Sequence, residues 1–283
     1  MSYDYETLKA TLDHGVLTVI INNPPVNLMT VQLFADLADL TLKAGQDDGV
    51  KVVVFGSADP DFFIAHFDVE TILGLISETP AVKAPNLSNF HQMCERVRTM
   101  PKATIVKMGG RTGGGGNEFA ASCDMRFGVR GKTIINQMEV ALGILPGGSG
   151  TQRLPRLVGR NRAMEICLGS DDIDAETLDK WGYLNRIFES NSDLDRFVDK
   201  LAKRIATWPA EAVGLCKASV NNAEPDWQAG LLEEAYLFDQ TLRTPSAESN
   251  MRKAMEMGLQ ARAGELRMGE FCFEFAQAAN VEA

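Results

Sequence analysis

The sequence predicts an α/β protein, with a sheet-forming part over residues 1–190 and a helical part over 191–283, on three observations. A β-branched run at 15–22, a helix-compatible stretch at 31–44 and an apolar run at 52–56 follow one another at strand, helix and strand lengths. A further strand-like run at 104–108 leads through Gly113, Gly114, Gly115 and Gly116 into an alanine-containing helical stretch. From Asn161 onward the apolar spacing is helical. Strand, helix and strand at such spacing imply parallel strands joined by a right-handed crossover.

The first run ends at Asn23-Pro24-Pro25, as a buried strand closing in a turn would. Thr30 is placed to cap the helix over 31–44, where Val31, Phe34, Leu37, Leu40 and Leu42 make an apolar stripe. After the strand at 52–56 comes Asp61-Phe62-Phe63-Ile64-Ala65-His66-Phe67-Asp68-Val69. It is more apolar than a solvated connection requires, and so is expected to line a pocket. Pro80 and Pro85 interrupt the stretch before a helix expected from about Asn89 to Met100. Short strands at 125–129 and 133–136 precede a second glycine-rich segment, 137–154. Asp174 and Gly182 then bracket a helix, and others are expected near 193–207, 210–221, 227–243 and 247–259. Leu231, Leu232, Ala235, Phe238 and Leu242 give one of these an apolar face suited either to the core or to a second subunit.

A chain of 283 residues with 45% hydrophobic content supplies a sizeable core. Its net charge of −10 and isoelectric point near 4.9 argue against nucleic acid and anionic membrane as partners. The five cysteines are widely spaced and lack a Cys-x-x-Cys pair, which indicates neither a disulfide framework nor a metal site and suits a reduced, cytoplasmic setting. The first six residues lack the basic and apolar regions of an export signal, and no uncharged run reaches membrane-spanning length.

The chemistry is expected at the glycine run. Glycines let backbone approach a ligand closely, and a helix start offers unpaired N–H groups with a positive dipole end, so the turn suits negative charge. Phosphate fits poorly: there is no Gly-x-x-x-x-Gly-Lys-Ser/Thr pattern, and the third glycine of a dinucleotide fingerprint would fall on Glu118. A carboxylate beside those N–H groups suits acyl chemistry through an enolate. Glu118 could equally cap the helix from its third position. Glu139 lies among Met138, Val140 and Leu142, where an ionisable group needs a reason; alone, it reads as a surface residue at a strand end.

Three segments in order, 63–69, 113–124 and 137–153, continued by Leu157-Val158-Gly159-Arg160-Asn161-Arg162, resemble the crotonase (enoyl-CoA hydratase/isomerase) family. The resemblance runs from about Leu17 to Phe188 and fades beyond about residue 245, where the family's Lys-Arg-containing motif is not evident. It implies a spiral of ββα units, a helical C-terminal region used for trimers or dimers of trimers, and acyl-CoA substrates, with coenzyme A entering as part of the substrate and no separate cofactor. Matched by motif, Phe67 and Gly115 would supply two backbone N–H groups to the thioester oxygen. Glu118 would be the base and Glu139 the proton donor in syn addition of water to a 2-enoyl thioester. The resemblance also points to Val26, Leu28, Ala65, His66, Asp68, Gly114, Pro146 and Gly147 for contacts with CoA and substrate.

Two departures stand out. The interval from Glu118 to Glu139 is about one residue longer than in typical members, and His66 replaces the usual glycine of the first loop, at a cost of roughly 1–3 kcal/mol if its φ is positive. His66 could contact substrate or simply pack; His14 and His91 have no motif partner and read as structural. A helix start should keep Glu118 ionised, while an apolar wall and a like charge should keep Glu139 protonated. The family also holds Δ3–Δ2 isomerases and aromatic-acyl lyases, which share the two-amide cradle and alter the acid–base groups. A non-catalytic scaffold or RNA-binding homologue is the reading from another class.

Overall fold

The chain crosses repeatedly between two sheets, and this alternation builds the site. The computed structural model describes residues 2–224 and 226–281. A hairpin of β1 (Leu8–Asp13) and β2 (Val16–Ile21) leads to α1 (Val31–Gln46). Three turns of strand, strand and helix follow. The first is β3 (Val52–Ser57), β4 (Phe62–Ile64) and the helices α2 (Val69–Leu73) and α3 (Asn89–Thr99); the second is β5 (Ala103–Met108), β6 (Arg111–Gly113) and α4 (Gly114–Ser122); the third is β7 (Met125–Val129), β8 (Ile134–Asn136) and α5 (Gly150–Val158). In each turn the first strand joins a six-stranded sheet, ordered β1-β2-β3-β5-β7-β10, and the second a four-stranded sheet, ordered β4-β6-β8-β9. The remaining elements are α6 (Arg160–Gly169), β9 (Ile173–Asp174), α7 (Ala175–Trp181), β10 (Arg186–Phe188), α8 (Asn191–Ala206), α9 (Ala210–Asn221), α10 (Gln228–Thr241), α11 (Pro245–Glu256), α12 (Arg262–Glu265) and α13 (Met268–Val281).

All strand pairs are parallel except β1 with β2 and β8 with β9. Parallel strands are covered on both faces, which is why β3 and β5 read as nearly continuous apolar runs. The edge strand β1 is mostly exposed and was not expected; its alternating polar residues resemble a solvated lead-in. His14, expected ahead of the first strand, instead shares with Gly15 the two-residue turn of the β1–β2 hairpin. Both residues have positive φ (46° and 83°), as a twist-matched hairpin turn requires.

Thr30 caps α1 as expected, accepting from the Leu33 amide at 3.2 Å. The buried stripe is Leu33, Leu37, Leu40 and Ala44, whereas Val31 and Leu42 of the expected stripe face solvent. Beyond Phe188 the described residues form helices only. α8 lays Leu194, Val198 and Ala202 on the six-stranded sheet. α11 and α13, the latter unexpected, form a second core with Met138, Leu142 and Ile144 of the glycine-rich segment. Leu231 and Leu242 of the expected α10 face are buried within this chain, while α9 buries no residue and exposes Leu215 and Val220. No helix among the described residues is long and apolar enough to cross a membrane.

Candidate active site

The start of α4 is pressed against the loop after β4, and the four glycines make that possible. A Cβ at Gly113 would lie 2.4 Å from the Ala65 carbonyl oxygen, and one at Gly116 2.5 Å from that of Ile64. Gly114 also takes φ 42°, in the left-handed region. The two loops therefore meet at Phe67 and Gly115. Met29 donates to His66 O (2.8 Å) and accepts from the Asp68 amide (3.1 Å), the two bonds that straddle Phe67 in a parallel bridge. The Phe67 N–H accordingly points away from Met29, and a Cβ on Gly115 would stand 3.5 Å from that nitrogen. Gly115 is the second residue of α4, so its own N–H has no acceptor within the helix.

Glu118 is the fifth residue of α4 and does not cap it: the helix has no side-chain cap. Its Oε1 instead accepts from the Gly148 amide at 2.8 Å and the Gly150 amide at 2.7 Å, on the second glycine-rich segment. That segment also carries Glu139, which is buried, with Oε2 unpartnered. Both carboxyls line a cavity of about 520 Å³ with Phe67 and Gly115. Phe34, Phe67 and Phe90, from three separate segments, form one wall, with centroids 5.9–6.3 Å apart.

Burial pushes Glu118 well above the ordinary carboxylate range. The Glu139 and Glu234 carboxyls push it further, against the two amide donors. Burial likewise raises Glu139 to about 7, with His66 opposing and Glu234 adding. Both carboxyls are thus held above the ordinary range as one coupled system, and the helix start does not by itself keep Glu118 ionised. Glu118 lies a full turn inside the helix, beyond the strongest part of the dipole, and is buried facing two other carboxyls.

The remaining sequence-derived site residues divide. Gly147 lines the cavity, and Pro146 is buried beside it. Val26 and Ala65 are buried with Phe62 in a small cluster that Leu28 joins at its edge. Asp68 caps α2, accepting from Glu70 N–H and Thr71 Oγ1, and holds Gln260 Nε2 at 2.8 Å. His66, expected at substrate, does not line the cavity, and its φ is not positive, so the anticipated strain is absent. Its Nδ1 lies 2.8 Å from Phe67 O and its Nε2 3.0 Å from buried Glu265 Oε1, two acceptors that favour the doubly protonated ring. Burial alone would lower its pKa; the Glu265 carboxylate outweighs burial and holds it above the ordinary value.

Sequence reasoning missed Glu234 and Glu265, each buried against a histidine of the sheet-bearing part. No local signal marks them, since their partners lie 143 and 199 residues away. A second, larger cavity of about 850 Å³ beside α9 is ringed by cations, yet Arg98, Arg153 and Lys217 there are already bonded to Glu95 and Asp124.

A family profile described as Enoyl-CoA hydratase/isomerase matches residues 11–262. Crotonyl-CoA hydratase of Syntrophomonas wolfei is 28% identical over 255 residues, spanning 89% of this chain and 96% of that protein. The 1,2-epoxyphenylacetyl-CoA isomerase of Escherichia coli is 26% identical over 225 residues, 77% of this chain and 83% of that one. Among solved structures, a candidate enoyl-CoA hydratase from Streptomyces avermitilis superposes with a TM-score of 0.87 at 35% identity, covering 97% of this chain and 100% of that chain. The profile spans most of the sequence, and the fold, two sheets visited alternately with a glycine-rich helix start between them, is that of its solved relatives: the chain belongs to the enoyl-CoA hydratase/isomerase, or crotonase, family.

Proposed function

We propose that the protein adds water across the double bond of a 2-enoyl-CoA thioester. The observation that carries this reading is the pair of buried carboxyls, Glu118 and Glu139, lining one cavity together with Phe67 and Gly115. The thioester oxygen would accept from those two N–H groups, which stabilise the enolate as charge develops on it. The ionised carboxyl takes a proton from water as its oxygen bonds to C3, and the protonated one delivers a proton to C2 on the same face. Glu118 is assigned as base: its Oε1 is held by two amides, leaving Oε2 for water. Glu139, unpartnered at Oε2, is assigned as proton donor. The two titrate as one system, so the singly protonated pair is the working state whichever oxygen holds the proton at rest.

No cofactor is needed beyond the CoA carried by the substrate. Backbone groups around Val26, Leu28 and Ala65 are the proposed CoA contacts, and Gly114, Pro146 and Gly147 shape the acyl side. The helices after Phe188 are proposed to form a homotrimer or a dimer of trimers, supported by the exposed Leu215 and Val220 of α9; sedimentation as a monomer alone would remove that part. A reduced cytoplasmic setting fits the five unpaired cysteines.

Loss of the ultraviolet absorbance of the conjugated thioester of crotonyl-CoA on addition of enzyme tests the reaction. Activity should fall at low pH, where both carboxyls are protonated and no base remains, and again at high pH, where both are ionised and no acid remains. A flat profile, or no hydration, rejects the proposal. Isomerisation of an acyl-CoA is the second reading: the all-phenylalanine wall suits aromatic acyl groups, and the product's mass separates the two, because hydration adds one water and isomerisation adds none. A scaffold or RNA-binding role leaves the buried carboxyl pair unexplained.

A further inference from the structure

Three consecutive amides of the second glycine-rich segment point at two different carboxylates. Gly148 N–H and Gly150 N–H go to Glu118 Oε1, while Ser149 N–H, between them, goes to Glu234 Oε1 at 2.6 Å. Ser149 takes φ 96°, the left-handed region that a serine rarely occupies, and this reversal separates its amide from its neighbours'. Glu234, on α10, also accepts from Thr151 Oγ1 and from His91 Nε2 at 3.1 Å. Both side chains of the His91–Glu234 pair are fully buried. Ser149 is fixed on its other side by Arg153 Nε, 2.7 Å from its Oγ.

We propose that Glu234 is a positioning residue for Glu118, acting through the 148–150 turn: by anchoring the Ser149 amide it presents the flanking amides to Oε1 and leaves Oε2 free for the reaction. The helical part of the chain thereby sets the orientation and proton affinity of a carboxyl carried by the sheet-bearing part. The inference rests on the hydration reading for its kinetic consequence, but its geometric content does not. The titratable groups facing Glu118 are Glu139 from the glycine-rich segment, Glu234 from α10, and the thiols of Cys94 on α3 and Cys167 on α6. Burial holds both thiols at about 12, so they stay neutral. His91 faces Glu234 from α3, and Arg153 faces the turn from α5.

The test compares Glu234→Gln, which keeps an acceptor oxygen for the Ser149 amide, can donate to Thr151 Oγ1 and loses the charge, with Glu234→Ala, which loses all of these. The Ala variant should lose roughly 10- to 100-fold in kcat with KM changed little, and the Gln variant should recover most of kcat. The Gln variant should also lower the pH at which Glu118 titrates by about half a unit or more, because a like charge has gone. Carboxyl 13C NMR, with the Glu118 signal assigned by its absence in Glu118→Gln, reads that titration without turnover. It therefore still decides if Glu234→Ala does not fold or if wild-type enzyme fails to hydrate crotonyl-CoA, an outcome that would sink the hydration reading alone. His14→Ala, in the exposed hairpin turn, is the control. An unchanged Glu118 titration in Glu234→Gln overturns the proposal, as does wild-type kcat in a folded Glu234→Ala.

Discussion

The sheet-bearing part and the helices that follow it hold their functional groups by different means. Up to Phe188 the chain works with backbone: glycines that admit close approach, a bridge that turns the Phe67 amide outward, and two amides that grip Glu118. After Phe188 it works with charge: Glu234 and Glu265 reach back to His91 and His66, one pair behind each side of the site. The first part supplies the groups aimed into the cavity, and the second fixes their surroundings. A reading confined to motifs sees only the first.

The largest expected effect tests the backbone-held pair. Glu118→Gln and Glu139→Gln should each lower turnover by roughly 10²–10⁴-fold while circular dichroism stays unchanged. Wild-type turnover in both would move the chemistry away from this pair and erase the contrast between the two parts. The next effect tests the charge clamp. Glu265→Ala leaves His66 buried without its carboxylate and should lower unfolding free energy by about 3–5 kcal/mol in denaturant titrations. A loss below about 1 kcal/mol would mean that the helices sit on the core without help from the pair.

The smallest effect concerns pH. Glu139 is raised from an ordinary 4.5 to about 7 in the folded protein, so between those values the native state binds more protons than the unfolded chain, and stability falls as pH rises through that window. Glu139→Gln removes this slope. Going from pH 5 to pH 8, the variant should lose roughly 1–3 kcal/mol less than wild type. Identical pH dependence in the two proteins would show that ionising Glu139 costs the fold nothing.

The legible features were those whose residue types are unusual in themselves. Four glycines in a row, an apolar loop ending in Phe67, and a glutamate among apolar neighbours each break local expectation, and the structure brings all three to one cavity. Thr30 and the β3 and β5 strands were legible because capping and doubly covered strands leave local patterns. The edge strand β1 was not, since a strand with one solvated face and a free edge looks like a polar lead-in. The α1 stripe was misplaced by taking in Val31 and Leu42, which are exposed, and passing over buried Leu33; exposed valines and leucines are ordinary on a surface. Glu234 and Glu265 lie in unremarkable helical sequence, and only the folded chain gives them histidines.

The aromatic wall carries one further consequence. Phe67 contributes its ring to the three-phenylalanine cluster and its peptide nitrogen to the convergence with Gly115, so a single residue sets both the width of the acyl chamber and the placement of an N–H donor. Breadth of substrate and quality of the oxygen cradle are therefore not independent dials. Remodelling that enlarges the chamber without disturbing the cradle has to proceed through Phe34 or Phe90, whose stacked rings can be trimmed while the chain at position 67 stays where it is.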